Sequence, residues 1–275
     1  MKYLVVAAAL LASSVAPAAA QSSEASPIQL HVRMVPGETR HYVNAVKMLL
    51  GTDGSPQAEE YTTNSTMVTE DRLDDDSILV RETFDDITFG RNDLQLDRDT
   101  ALSTQATYHL HGDGTFSDFE VQGQGLAPVP QREDVFSASW PHFPPEGVLL
   151  GQKFNVTMSL PVPVPALDQA RVPVEVLPSS IDDQGDRRVL NIVEASSVTD
   201  RELPLGPFGS LGTGTLSVDG GVAAQMDIDT GWLVQQKGTL TYFLKATIGQ
   251  NNEQHMLVGK YEASLTLTGE DLVDE

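Results

Sequence analysis

The chain carries one series of signals twice, and a repeated strand pattern limits the fold more than any other property of the sequence. Gly37 opens an extended run, an Asp-rich turn follows at Asp74 to Asp76, and a Gly-Asp-Gly-Thr-Phe turn stands at Gly112 to Phe116. A second series opens at Gly151, reaches Asp182-Asp183 and arrives at Asp229-Thr230-Gly231-Trp232. From opening glycine to turn aspartate is 76 residues in the first series and 78 in the second. Like signals at near-equal spacing, each between alternating apolar runs, are what a duplicated β unit leaves in a sequence.

Alternation is clearest near the C-terminus. Leu257, Gly259, Tyr261, Ala263, Leu265 and Leu267 fall on one face, and Lys260, Glu262, Ser264, Thr266 and Thr268 on the other. Period two with one polar face describes an antiparallel strand packed on a core on one side only. The same reading covers residues 152–160, with Phe154, Val156, Met158 and Leu160 inward. Residues 39–50, 61–73, 78–89 and 104–111 are further strands in the first half, and 170–177, 187–198, 213–228 and 232–248 in the second. Residues 93–102 and 132–139 hold a helical turn or two at most, because neither sustains an apolar stripe at i, i+3, i+4. The expected fold is mainly β: two related antiparallel β-sheet repeats packed together, sandwich or half-barrel in form, with little helix beyond a signal peptide.

The expected organisation is a signal peptide at 1–20, a flexible stretch at 21–27, a first β repeat at 28–125, a Pro-rich linker at 126–145, a second repeat at 146–269 and an acidic tail at 270–275. The signal reading rests on Lys2, the apolar run from Leu4 to Leu11 and the small residues Ala18-Ala19-Ala20. The linker reading rests on proline, which donates no backbone hydrogen bond and so avoids central strands. Trp140 and Phe143 within it are expected to pack on a sheet.

Export places the chain in the periplasm or outside a bacterial cell. No cysteine occurs in the 275 residues, so neither a disulfide nor a lipidated cysteine is available, and stability must come from burial. Lys and Arg number 17 against 39 Asp and Glu, a formal charge of −22. Such a surface repels polyanions, which argues against nucleic-acid binding, and no stretch has the ~20 apolar residues of a transmembrane segment. The partners left are a lipid or apolar small molecule, or an envelope protein.

Chemical motifs are sparse. His109 and His111 share one face of a strand with Asp113 nearby, a geometry metal sites use, but local spacing supplies no third ligand. Carboxylates gather at Asp74-Asp75-Asp76, Asp85-Asp86, Asp97/Asp99, Asp182-Asp183 and Asp227/Asp229 without the spacing of a calcium loop, and read first as turn formers. The glycines between Leu205 and Gly221 run into a β pattern and not into a helix, which fits a bulged strand or loop and not a phosphate cradle. Ser210 lacks the glycine two places before it that a nucleophile elbow needs. No cofactor and no catalytic residue emerges.

Phe143-Pro144-Pro145-x-x-Val148-x-x-Gly151 and Asp227-x-Asp229-Thr230-Gly231-Trp232-Leu233 resemble uncharacterised families of exported bacterial two-repeat β-rich proteins, known as domains of unknown function. More remotely, the β pattern and export resemble periplasmic lipoprotein carriers, whose curved antiparallel sheet cradles acyl chains. The resemblance implies no catalytic residue. The leading expectation is an exported, non-enzymatic binding protein of the envelope that holds an apolar or amphipathic ligand on a concave sheet face, with Trp140, Phe143, Trp232 and Tyr242 as ligand-binding residues. The alternatives are a structural or protein-interaction module of the envelope, and a hydrolase whose site assembles only in the fold.

Overall fold

The structure, a computed structural model, describes residues 26–52, 55–75, 77–123, 140, 143–144, 146–159, 170–205, 212–248 and 253–273. The signal segment, most of the Pro-rich linker, the helical turn expected at 132–139, Ser210, and the prolines at 161–165 lie outside the described residues. Eleven strands and one helix make up the rest: β1 (Thr39–Thr52), β2 (Ser55–Arg72), β3 (Ile78–Asn92), α1 (Arg98–Leu102), β4 (Gln105–Leu110), β5 (Phe116–Gln122), β6 (Phe154–Ser159), β7 (Arg171–Gln184), β8 (Arg187–Leu205), β9 (Gly212–Asp227), β10 (Leu233–Ile248) and β11 (Glu253–Asp271).

The fold is nearly all antiparallel β, and it takes the half-barrel form, not the sandwich. All eleven strands belong to one open sheet in the order β5-β4-β3-β2-β1-β11-β10-β9-β8-β7-β6. The two halves meet edge to edge where β1 pairs with β11 from Thr39↔Asp271 to Thr52↔Leu257. Two stacked sheets would leave β1 and β11, 14 and 19 residues long, as edges with unpaired backbone groups. Pairing them removes both liabilities and leaves the edges to β5 and β6, only 7 and 6 residues long.

Each repeat signal falls at the same point of its half. Gly37 and Gly151 precede the first strands, β1 and β6, with φ of 90° and 75°, and Gly114 and Gly231 turn the chain from fourth to fifth strand with φ of 82° and 69°. Asp74-Asp75 and Asp182-Asp183 stand where second strand passes to third. At Gly231 the requirement for glycine is also steric, since a Cβ there would lie 2.4 Å from the His31 carbonyl oxygen.

The sheet is strongly curled. Phe116 on β5 and Trp232 before β10 stand six strands apart, roughly 29 Å on a flat sheet at ~4.8 Å per strand. Yet Trp140 bridges them, with ring centroids 5.6 Å from Phe116 and 5.7 Å from Trp232. Bulges assist the bend, at Glu60/Tyr61 and Asn64/Ser65 between β2 and β3 and at Leu233/Gln235 between β9 and β10. The inward sides of both halves share one buried cluster, to which Tyr42, Ile78, Val80, Tyr108 and Leu110 come from the first and Val176, Leu190, Ile192, Met226 and Leu233 from the second.

An N-terminal strap ties one end of the curled sheet. Ile28 exchanges backbone hydrogen bonds with Val148, Val32 N–H donates to Gly112 O at 2.9 Å, and Arg33 N–H donates to Thr230 O at 2.7 Å. The strap thus spans the β4–β5 and β9–β10 hairpins from the two halves. Near it, β11 continues through Glu270 and Asp271, so the start of the expected acidic tail is paired strand.

Candidate functional site

Register identifies the inward face residue by residue. Tyr261, Ala263, Leu265 and Leu267 of β11 stand beside Met48, Val46, Asn44 and Tyr42 of β1, while Tyr261, Ala263 and Leu265 also stand beside Leu240, Gly238 and Gln236 of β10. On a closed core such positions are sealed, as Tyr42, Val176 and Ile192 are. Along the middle of the sheet they are not: Leu240, Leu257, Tyr261, Ala263, Leu265 and Leu267 point inward and remain half-buried. Small side chains at Gly220, Gly238 and Ala263 lower the floor between them. These side chains form an apolar strip, a shallow trough, along β10, β11 and β1, packed against the margins of the two buried clusters.

At the strap end the trough is closed by aromatic rings and a charged clasp. Tyr108, Phe116, Trp140 and Trp232 stack edge to face in series, with the first centroid step 5.1 Å. The Arg40 guanidinium lies 4.0 Å over the Trp232 ring and binds the buried Glu38 carboxylate at 2.8 Å. Arg33 holds the other oxygen of Glu38 at 2.8 Å and also donates to Val273 O. Trp232 Nε1–H donates to Arg33 O at 3.1 Å, and Tyr42 O–H donates to Leu233 O at 2.9 Å. Burial pushes the Tyr42 phenol far above its ordinary range. Arg187 of β8 reaches across to Glu270 of β11 on the same side.

The opposite end differs between the halves. In the first, Leu96 and the turn of helix at α1 lay Ala101 and Leu102 over Val46, Tyr61 and Ile87. Asp97 caps that helix, accepting from Thr100 N–H at 3.2 Å. The helical turn expected at 93–102 is therefore present, short, and folded onto the inward face. In the second half a cleft of about 730 Å³ lies at the ends of β8 to β11, lined chiefly by outward-phase residues such as Glu202, Thr213, Thr215, Lys245 and Thr247, with the row Leu203, Gly214, Ala246 and His255 between them.

The structure brings Trp140 and Trp232 into direct contact and sets Phe143, half-buried, against the same cluster. Tyr242 belongs to that cluster too but sits about 30 Å farther along β10 at ~3.3 Å per residue. Its ring lies over Gly259 of β11, where a Cβ would be 1.9 Å from Tyr242 Cζ. Trp140, Trp232 and Tyr242 are each at most 3 % exposed.

The acidic and histidine groups singled out by sequence work locally. Asp75 accepts from Ser77, Asp227 Oδ1 accepts from the N–H groups of Asp229 and Thr230, and Asp229 pairs with Arg188. His109 meets Asp118 at 2.9 Å and His111 meets Ser117 at 3.0 Å. Among the described residues no three His, Asp or Glu side chains gather as a metal would require. The glycines from Gly212 to Gly221 form part of β9, where a Cβ on Gly220 would lie 2.3 Å from Thr239 O.

Sequence reasoning missed three buried carboxyls on the inward face. Burial pushes Glu82 up to about 7 against a hydrogen bond with Ser65, and pushes Glu194 up to about 7 with no opposing partner. Burial also raises Glu59, partly offset by the Leu94 N–H. The available signal was their phase, since each occupies an inward position of an alternating strand.

No family model matches the chain, and no curated protein matches it. Among solved structures, one on lipid-protein interactions in lipovitellin is similar at 8 % identity and a TM-score of 0.43, covering 88 % of this chain and 26 % of that one. A Vibrio parahaemolyticus domain provisionally described as outer membrane lipoprotein-sorting is similar at 9 % identity and a TM-score of 0.22, over 84 % of this chain and 85 % of that one. A DUF1329 family protein from Desulfovibrio piger is similar at 9 % identity and a TM-score of 0.21, over 81 % and 84 %. No helix among the described residues is long and apolar enough to cross a membrane.

Proposed function

We propose that this is an exported, non-enzymatic binding protein that holds an apolar or amphipathic ligand in the trough along β10, β11 and β1. The observation that supports this most is the half-exposure of Leu240, Leu257, Tyr261, Ala263, Leu265 and Leu267 on the inward face of a curled sheet. Apolar side chains facing inward without being sealed form the lining that a concave apolar site needs. In this reading Trp140 and Trp232, with Phe143 beside them, form the stop against which an apolar chain ends. Tyr242 stiffens the wall farther along.

Native mass spectrometry of protein purified without detergent tests the reading. The expected result is a bound mass that organic extraction removes and identifies as a long-chain compound. Protein that carries no such mass, and that neither binds 1-N-phenylnaphthylamine nor releases it to long-chain competitors, contradicts it.

A further inference from the structure

Charge on the inward face is one-sided. The buried charged side chains among the described residues are Glu38, Glu59, Glu82, Glu194, Asp227 and the single guanidinium of Arg40. Arg40 pairs through Nη2 with Glu38 and stacks on Trp232, and its Nε is buried without a hydrogen-bond partner. Glu194 Oε1, Glu59 Oε1, Thr63 Oγ1 and Tyr242 O–H are buried without a hydrogen-bond partner. A buried acceptor left without a donor is costly, so native proteins seldom retain several.

These unmatched groups border the half-buried floor from both sides. In one cross-strand row Glu194 stands next to Val222, then Gly238, then Ala263. In the neighbouring row Glu59 stands next to Met48, then Tyr261, then Leu240. On the other side of the Glu194 row, Thr63 stands next to Asn44, then Leu265, then Gln236. Two carboxyl oxygens and a hydroxyl thus approach one apolar strip from its β8 flank and its β2 flank.

We infer that the trough selects an uncharged or cationic amphiphile bearing hydrogen-bond donors, such as a long-chain alcohol, amide or amine, and discriminates against carboxylate- and phosphate-headed lipids. The inference rests on the trough being the binding site. A hydroxyl, amide N–H or ammonium supplies the donor that Glu194 Oε1 and Glu59 Oε1 lack. An anionic head brings a like charge toward the two carboxyls Glu194 and Glu59 in a medium of low dielectric, and the one buried guanidinium among the described residues, that of Arg40, is committed to Glu38.

Displacement of bound 1-N-phenylnaphthylamine by dodecanol, dodecylamine and laurate, which share one chain length, separates the two claims. The expected result is displacement by the alcohol and the amine, with laurate weaker by about tenfold or more. Glu194→Gln and Glu59→Gln, each checked for native circular dichroism, narrow the gap between dodecylamine and laurate several-fold; Gln keeps the size of the side chain and, at position 59, an oxygen that can still accept from Leu94 N–H. Laurate equal to dodecanol, or a gap unchanged in both variants, overturns the donor-selective inference while leaving the trough intact. Failure of the probe to bind at all overturns the trough reading itself.

Discussion

Replacing Glu194 with Gln should stabilise the protein, and by an amount that depends on pH. Glu194 lies on β8 between Val176 and Val222, 3 % exposed, and burial alone lifts its carboxyl from 4.5 to about 7. Because the folded-state value lies above the unfolded one, the folded protein holds this proton more tightly. Below pH 4.5 both states are protonated and the group costs nothing. As pH rises from 4.5 to 7 the unfolded chain ionises while the folded one does not, so stability falls. Above pH 7 the loss levels off at roughly 3 to 4 kcal/mol. Urea unfolding of wild type and variant at pH 4.5, 5.5, 6.5 and 7.5 reads this directly. The gap should start near zero and open to that size, the variant being the more stable. A gap of constant size across that range, or a variant less stable at pH 7.5, would refute the reasoning that the carboxyl is buried and unpaired.

Other substitutions probe the closure and the packing. Trp232→Ala removes the ring that joins Trp140, Arg40 and the strap, and should cost about 3–5 kcal/mol in chemical unfolding; a loss under 1 kcal/mol would show that the plug is not a structural element. Gly259→Val drives a side chain into the buried Tyr242 ring and should lower Tm sharply, and Tyr242→Ala in the same chain should recover part of the loss. An absence of recovery would mean that the two positions do not share that space. Tyr42→Phe leaves the Leu233 carbonyl without its donor and should cost about 1 kcal/mol, measured as a change in urea midpoint.

Much of the fold was legible because alternation is a local property. The inward set Leu257, Gly259, Tyr261, Ala263, Leu265 and Leu267 of β11 is the set that faces β10 and β1. The hairpin glycines were legible for a similar reason, since positive φ at Gly114 and Gly231 is fixed by the turn itself. β5 went unread because Phe116–Gln122 is short and carries Ser117, Asp118 and Glu120, which suit an edge and break the apolar pattern. Edge-to-edge joining of the halves was hidden because strand faces encode burial, whereas the choice of lateral neighbour depends on pairing between residues as far apart as Thr39 and Asp271. The site was only half legible. Trp140 and Trp232 stood out as candidate ligand-binding aromatics, but their contact with each other and their depth of burial depend on curl. Glu59, Glu82 and Glu194 looked like surface charge in a strongly acidic chain, and only their place in the strand phase set them apart.

The most direct test of the account fills the floor of the trough. Ala263 lies inward between Gly238 and Val46, half-buried at the margin of the cluster of Val46, Tyr61, Ile87 and Ala101, so a large ring placed there occupies the proposed ligand space. Dodecanol affinity should be lost in Ala263→Trp while circular dichroism and Tm stay near those of wild type. A variant that binds dodecanol as tightly as wild type would place the ligand elsewhere and contradict the account.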